Sequence, residues 1–162
     1  MRYYIRNAAR RVSLMYAFRP GKHTFLGSLW VYYAWYNDLM NLSLLCALTK
    51  PPDDILVPHP ELRCYNANVL RLLIAAGANV NYYDGYALSI AIDYDDYDAA
   101  EVLVSAGIKL DSDDLERAIT NKCESIARLM VTAGAIITLP VIDAAAMAGD
   151  EYTSLVMEFL CK

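Results

Sequence analysis

The chain has few of the residues that metal, disulfide and nucleotide sites require. Its 162 residues include four cysteines, two histidines and seven glycines. The cysteines lie far apart without a Cys-x-x-Cys pair, which argues against a disulfide framework or a paired-ligand zinc site. The glycines form neither a Gly-x-Gly-x-x-Gly motif nor a phosphate-binding loop. We therefore expect no cofactor and no metal, and we expect buried free thiols in a reducing compartment, the cytoplasm.

Groups suited to catalysis are equally sparse. His23 and His59 have no companions at metal-ligand spacing, and His59 stands between two prolines. Ser89 and Ser125 fall on predicted helices without a base in register, so no set of nucleophile, base and orienting group can be assembled. The sequence predicts no catalytic residues and a protein that is not an enzyme.

One acidic run, Asp93–Asp98, suggests a calcium loop at first sight. It has no glycine at the sixth loop position, and Val104 occupies the twelfth, where a bidentate carboxylate is needed. The run instead predicts a turn whose acids cap the following helix. An acidic contact patch for a basic partner is the alternative.

Acidic residues are absent from the first 37 positions. That segment carries six basic side chains, whereas the remainder has 8 basic and 19 acidic groups, so the chain has a net charge of -5. The net charge argues against a nucleic-acid-binding role. The basic segment is read as a solvated helix face or as pairing with the acidic remainder; a targeting peptide or a surface for an acidic partner are the alternatives. The apolar run Phe25–Tyr36 is too short to span a bilayer, which takes about 20 apolar residues.

Three segments end in a bulky apolar triplet followed, two residues later, by Ala-Gly, with the glycines at Gly77, Gly107 and Gly134. Each resembles a helix that is stopped by a glycine in the left-handed conformation. Upstream of each glycine, apolar residues at positions i, i+3 and i+4 predict a second helix, and the small residues Ala91, Ala118 and Ala145 recur there at equal intervals. The pattern predicts repeated helical hairpins that bury their apolar faces against one another.

The segment Val69–Asn81 resembles the second helix of an ankyrin repeat with the Gly-Ala-Asp-Val-Asn segment that follows it. Asp84–Leu88 resembles the entry into the next first helix, and Ala145–Gly149 resembles the Ala-Ala-x-x-Gly turn of that family. The Thr-Pro-Leu-His tetrapeptide of the family is missing throughout. The resemblance implies an all-α ankyrin-type solenoid of helical hairpins. Its short, degenerate repeats are similar to those of large DNA viruses and bacterial effectors, which would place the protein in the host cytoplasm.

The connectors between hairpins are short. The intervals from Gly107 to Ala118 and from Gly134 to Ala145 are equal, and the interval from Gly77 to Ala91 is slightly longer. All three intervals are shorter than the corresponding interval in an ordinary ankyrin repeat, which has about 33 residues in all. The corresponding interval there also runs from the stop glycine to the alanine of the next first helix. Because the hairpins keep a constant length, the resemblance implies shortened β-hairpin fingers. Asp111–Asp114 and Thr138–Pro140 are then expected to serve as helix starts.

We divide the chain into residues 1–41, a basic, aromatic-rich and divergent N-terminal helical cap, and residues 42–162, about four ankyrin-like repeats. The cap is either a diverged repeat, with helices at Tyr3–Phe18 and Phe25–Tyr36 stopped by Asn37, or an unrelated helical segment. Leu44–Leu48 is predicted to be a first helix, followed by a Pro-rich insertion at 49–65. Tyr152–Leu160 carries an apolar stripe and is predicted to close the solenoid.

These observations favour a non-catalytic module that binds a partner protein through the concave face and the finger after Gly77. Two alternatives stay open: an assembly subunit or homo-oligomer docked through residues 1–41 and the Pro-rich loop, and an organellar protein targeted by residues 1–22. We expect no nucleic-acid partner and no membrane span. Thirteen tyrosines and two tryptophans supply contact area of the kind enriched at binding hot spots. The candidate contact residues are Tyr82, Tyr83, Tyr86, Ser89, Asp93, Glu116, Arg117, Thr120, Asp143, Trp30, Tyr33 and Trp35.

Overall fold

A computed structural model describes residues 25–57 and 65–161, and these ranges are helical without any β-strand. The all-α prediction is confirmed, while the connectors contain turns instead of the expected β-hairpins. The helices are α1 (Phe25–Trp35), α2 (Leu39–Leu48), α3 (Ala67–Ala75), α4 (Tyr86–Asp93), α5 (Tyr97–Ser105), α6 (Ser112–Thr120), α7 (Glu124–Thr132), α8 (Leu139–Ala148) and α9 (Asp150–Leu160). A 3₁₀ turn at Tyr82–Gly85 precedes α4.

The three predicted glycine stops end α3, α5 and α7. Gly77, Gly107 and Gly134 have φ values of 91°, 81° and 92°. After Gly77, for example, the Ala78 N–H donates to the Leu73 carbonyl at 3.0 Å, and the same bond recurs after the other two glycines. This is the Schellman arrangement, which satisfies carbonyls at a helix end that would otherwise lack partners.

A second kind of turn, three residues long, joins the two helices of a hairpin. In α4–α5 and α6–α7 its middle residues, Asp95 and Lys122, have φ values of 51° and 62°. The turn between α1 and α2 has the same form, because Asn37 has φ 53° and the Asp38 N–H donates to the Tyr33 carbonyl at 2.9 Å. Helices α1 and α2 are therefore the first and second helices of one hairpin. Asn37 ends a helix as predicted, but it ends a first helix, and Leu44–Leu48 lies in a second helix.

The hairpins stack in two rows. Helices α4, α6 and α8 pack in sequence and form the first-helix row, while α2, α3, α5, α7 and α9 pack in sequence and form the second-helix row. The core lies between the rows and includes Leu42, Leu70, Leu73, Leu88, Ala91, Leu103, Leu115, Ala118, Ile126, Met130, Val141, Ala145 and Leu155. The predicted closing helix, α9, buries Tyr152, Leu155 and Val156.

The described part of the Pro-rich segment packs inward. Between α2 and α3 the chain order would call for a first helix, but the prolines at 51 and 52 remove backbone donors and the chain turns. The Ile55 N–H donates to the Pro52 carbonyl at 3.1 Å, and Ile55 and Leu56 are buried in the core. Ile55 and Leu56 therefore occupy the part of the core that a first helix would otherwise fill, although they lie in a turn.

Gly85, in the turn before α4, would be strained by a side chain for two reasons, its left-handed backbone and its closeness to Ile108. Gly107 shares only the first of these and therefore serves as a matched control. Gly85 and Gly107 have similar φ values of 79° and 81°, but a Cβ at Gly85 would lie 3.2 Å from Ile108 Cγ1, whereas nothing lies within 4 Å at Gly107. We expect Gly107→Ala to cost about 1 kcal/mol from the left-handed backbone alone. Gly85→Ala should cost roughly 1 kcal/mol more because it also crowds a buried side chain. Urea unfolding of both variants measures the difference, and equal losses would show that Ile108 moves aside freely.

Several predictions fall outside the described residues: the helix Tyr3–Phe18, the targeting reading of residues 1–22, His23, His59 and Cys64. Within the described ranges, every helix is too short or insufficiently apolar to cross a lipid bilayer.

Candidate protein-binding surface

Helices α4, α6 and α8 carry equivalent side chains at the same distances from Ala91, Ala118 and Ala145. The solvent-facing side of these three helices is called the first-helix edge. Ser89, Glu116 and Asp143 occupy one repeat position on α4, α6 and α8. Asp93, Thr120 and Met147 occupy a second position, one helical turn further along. Equivalent positions thus form two parallel lines of side chains across the three helices.

Polar bonds join α4 to α6 along this edge. The Ser89 hydroxyl donates to Asp114 Oδ1 at 2.6 Å. Arg117 Nη1 lies 3.2 Å from Asp93 Oδ2, with both side chains about half exposed, so the pair contributes about 0–1 kcal/mol. Three of the candidate residues, Ser89, Asp93 and Arg117, therefore connect neighbouring hairpins as well as lining the surface.

Asp114 is the buried acid of this region. Burial raises the pKa of its carboxyl group, while the hydrogen bond from Ser89 and the positive charge of Arg117 lower it. Asp111, which caps α6 as predicted, has a pKa lowered chiefly by the hydrogen bond from the Asp113 N–H. Asp93 is paired with Arg117, and Glu116 and Asp143 add further negative charge to this edge.

The α8 end of the edge is apolar. Leu139 is 76% exposed and Met147 is 89% exposed, and Asp143 stands between them on the same helical face, because the three residues are four apart. The equivalent residues of α6 are the polar Ser112 and Thr120. Sequence reasoning missed Leu139 and Met147. The signal that could have identified Met147 is the change from the polar Asp93 and Thr120 to an apolar residue at a repeat position that elsewhere faces water.

The tyrosines after Gly77 lie at the surface to different degrees. Tyr82 and Tyr83 are exposed and Tyr86 is half-buried. The rings of Tyr83 and Tyr86 meet edge to face at 5.9 Å. Tyr83 and Asp84 have φ values of 55° and 54°, a left-handed conformation that costs non-glycine residues roughly 1–3 kcal/mol each and is concentrated at functional sites. They lie at the start of α4, on the first-helix row.

The aromatic residues of α1 contribute less than the sequence suggested. Trp30 is 2% exposed and belongs to the core, so its place among the contact residues was wrong. Tyr33 and Trp35 are partly buried and pack against that core. Consecutive helical positions point in different directions, and α1 turns its Trp30 position inward.

The acidic run Asp93–Asp98 forms the turn between α4 and α5. Asp96 Oδ1 accepts a hydrogen bond from the Ala99 N–H at 3.1 Å, which confirms its predicted capping role. A shallow depression of about 350 Å³ lies over Tyr94–Asp98. In the described part of the chain, no three His, Cys, Asp or Glu side chains are grouped so that they could hold a metal ion.

Cys123 and Cys161 differ in ways the sequence did not indicate, since Cys123 is buried and Cys161 is exposed. The Cys123 Sγ donates to the Ile92 carbonyl at 3.3 Å. Burial, followed by the carboxylates of Asp95 and Asp93, raises the pKa of Cys123 to about 11.

We expect Cys123 to resist alkylation in the folded protein. At pH 8 a pKa of about 11 leaves roughly one thiol in a thousand as the reactive thiolate. Iodoacetamide at pH 8, followed by peptide mass spectrometry, should modify Cys161 at least about 100-fold faster than Cys123, and denaturation in urea should remove the difference. Equal rates in the folded protein would contradict the burial of Cys123.

No protein-family model, curated protein or solved structure matches the chain.

Proposed function

We propose that the protein is a non-catalytic protein-interaction module of the ankyrin type, which binds a partner protein along the exposed edge of its first-helix row. Stacked hairpins with Schellman turns and evenly spaced repeat positions support the ankyrin-type assignment. The observation that carries the proposal is the line of equivalent exposed positions Asp93, Thr120 and Met147 on α4, α6 and α8, which runs beside the partly buried Ser89 and Glu116 and the exposed Asp143. A solenoid presents such a line as an extended surface whose side chains vary without disturbing the core.

The side chains exposed along α6 and α8 indicate what kind of partner segment would bind there. Glu116 and Asp143 supply negative charge near the middle, and Leu139 and Met147 supply apolar contact area at the α8 end. The complementary segment would carry basic side chains next to apolar ones. Charge would align and steer this segment, while the burial of Leu139 and Met147 would supply most of the affinity.

The assembly alternative has less support in the described residues. Its aromatic docking segment has Trp30 in the core, and the Pro-rich loop turns Ile55 and Leu56 inward. The assembly alternative requires both features to face a partner, whereas Trp30, Ile55 and Leu56 instead pack in the core of the stack.

Affinity capture with three forms of the full-length chain tests the proposal. Leu139→Lys/Met147→Lys changes the first-helix edge, and the matched control Ser105→Lys/Thr132→Lys places two lysines at exposed positions on the second-helix row. We expect the double change on α8 to weaken capture of a specific protein at least about 10-fold, because it removes apolar contacts, and the control to leave capture unchanged. Equal capture by both variants would place the contact elsewhere. Capture by a Tyr82→Ala/Tyr83→Ala/Tyr86→Ala variant tests separately whether the turn before α4 contacts the partner.

A further inference from the structure

The turn before α4, Tyr82–Gly85, is a second exposed feature of the first-helix row. Tyr83 is 73% exposed, and its ring meets that of Tyr86 edge to face. The Asp84 carboxylate is exposed and forms no hydrogen bond or ion pair with any described residue. An aromatic ring next to a carboxylate offers a cation both a π face and an opposite charge.

Both ends of this turn are fixed to the following connector. The Asn81 side chain accepts a hydrogen bond from the Lys109 N–H at 2.7 Å and donates one to the Gly107 carbonyl at 3.4 Å. Gly85, at the other end, lies against the side chain of Ile108. The left-handed residues between these two ends are therefore held in place before a partner arrives, which reduces the entropy lost on binding.

The helix stack does not require such a turn. Before α6, the Asp111 side chain caps the helix directly, and no residue from Ile108 to Asn121 has a positive φ. Lys109 and Asp111 lie 3.8 Å apart there, so this acid has a cation beside it. The strained residues Tyr83 and Asp84 are thus an addition to one connector, and strain of this kind is concentrated at functional sites.

The turn lies on the same row as the surface that binds the partner in the proposed function. Helices α4, α6 and α8 pack in sequence. Packed helix axes lie about 8–10 Å apart, so α8 stands about 20 Å from α4. An extended segment covers that distance with about six residues, at roughly 3.3–3.6 Å per residue. One partner segment is therefore long enough to reach from the turn to Leu139 and Met147.

The charges along this path are complementary to a basic segment. Asp84, Glu116 and Asp143 follow one another from the start of α4 to α8, and their carboxylates form no ion pair with a described residue. Lys109 and Arg117, two cations of this row, each lie beside an aspartate. The row therefore presents unpaired negative charge, and at the turn it does so next to aromatic surface.

We propose that the turn Tyr82–Gly85 is a subsite for a lysine or arginine side chain of the partner, with the cation against the Tyr83 ring and paired with Asp84. The partner segment is extended, and its apolar residues, which cover Leu139 and Met147, stand about six positions from this basic residue. This inference rests on the proposed function, because it assigns a second anchor to the segment that binds the first-helix edge.

Peptides selected from a random twelve-residue phage-display library on the immobilised full-length chain test the subsite. Fluorescence anisotropy of labelled synthetic copies measures their affinities. We expect the selected peptides to carry a lysine or arginine about six positions from a group of apolar residues. Selection of acidic or uncharged peptides would overturn the inference, and a library that yields no binder would overturn the proposed function as well.

Variants of the chain locate the basic residue of a selected peptide. Asp84→Asn and Tyr83→Ala should each weaken binding about 5-fold, whereas Tyr83→Phe, which keeps the ring, should leave it unchanged. Asparagine tolerates the left-handed backbone at this position, so Asp84→Asn removes the charge and keeps the turn. Asp98→Asn is the matched control, because Asp98 is an exposed acid on the second-helix row, and it should have no effect.

A change in the peptide supplies the decisive comparison. Replacing its lysine or arginine by glutamine should weaken binding to the native chain about 5-fold and to the Asp84→Asn chain less than about 2-fold. Equal losses on both chains would overturn the subsite, and the proposed function would stand if Leu139→Lys/Met147→Lys still weakened binding. Binding that this double change leaves unaltered would overturn the proposed function itself. Self-association of the chain that Tyr83→Ala removes would identify a second copy as the occupant and overturn the subsite.

Discussion

Replacing Trp30 by alanine is expected to destabilise the protein by about 3–5 kcal/mol, the range typical of a buried tryptophan. Trp30 is 2% exposed and contributes one of the largest buried side chains of the molecule. Its removal leaves a cavity that the neighbouring helices can fill only in part. Urea denaturation followed by circular dichroism measures the change in the free energy of unfolding.

Tyr36→Ala is the matched control for this experiment. Tyr36 is an aromatic residue just beyond the end of the same helix, but its side chain is about half exposed, so its loss should cost less than about 1 kcal/mol. A Trp30→Ala loss no larger than that of Tyr36→Ala would mean that Trp30 does not lie in the core in solution.

Enlarging Ala118 to leucine is expected to cost about 1–3 kcal/mol. Ala118 is completely buried on α6, which packs against α4, α7 and α8. The added side-chain atoms have no space there, so they must separate helices that now approach closely or adopt a strained rotamer.

Ala146→Leu provides the comparison, because Ala146 is exposed on α8, adjacent in sequence to the buried Ala145. Leucine is almost as good a helix former as alanine, so this change should stay within about 0.5 kcal/mol. Thermal and urea unfolding of both variants report the difference. If Ala118→Leu were tolerated as well as Ala146→Leu, the even spacing of Ala91, Ala118 and Ala145 would not reflect close helix packing.

The local features of the fold could be predicted from the sequence. Glycine stops, the capping by Asp96 and Asp111, Pro140 in the first turn of α8 and the end of a helix at Asn37 each depend on residues only a few positions apart. The free energies that favour them are local, and they are present before the helices pack.

The pairing of helices required the tertiary structure. Leu44–Leu48 has the apolar spacing of a first helix, yet the turn at Asn37 and Asp38 makes it part of a second helix. First and second helices of a hairpin share the same i, i+3, i+4 pattern, since each buries one face. Periodicity therefore identifies a helix without saying which row it joins.

The candidate surface was likewise predicted in part from the sequence and in part required the tertiary structure. The sequence by itself determined that the described residues are all-α, that the hairpins keep a constant length and that Ser89, Glu116 and Asp143 are equivalent, because spacing along a helix sets which side chains share a face. Only the tertiary structure decided that Trp30 is buried, that Arg117 is paired with Asp93 and that Leu139 and Met147 stand exposed. Burial and ion pairing depend on which helices meet, and residues distant in the chain determine those contacts.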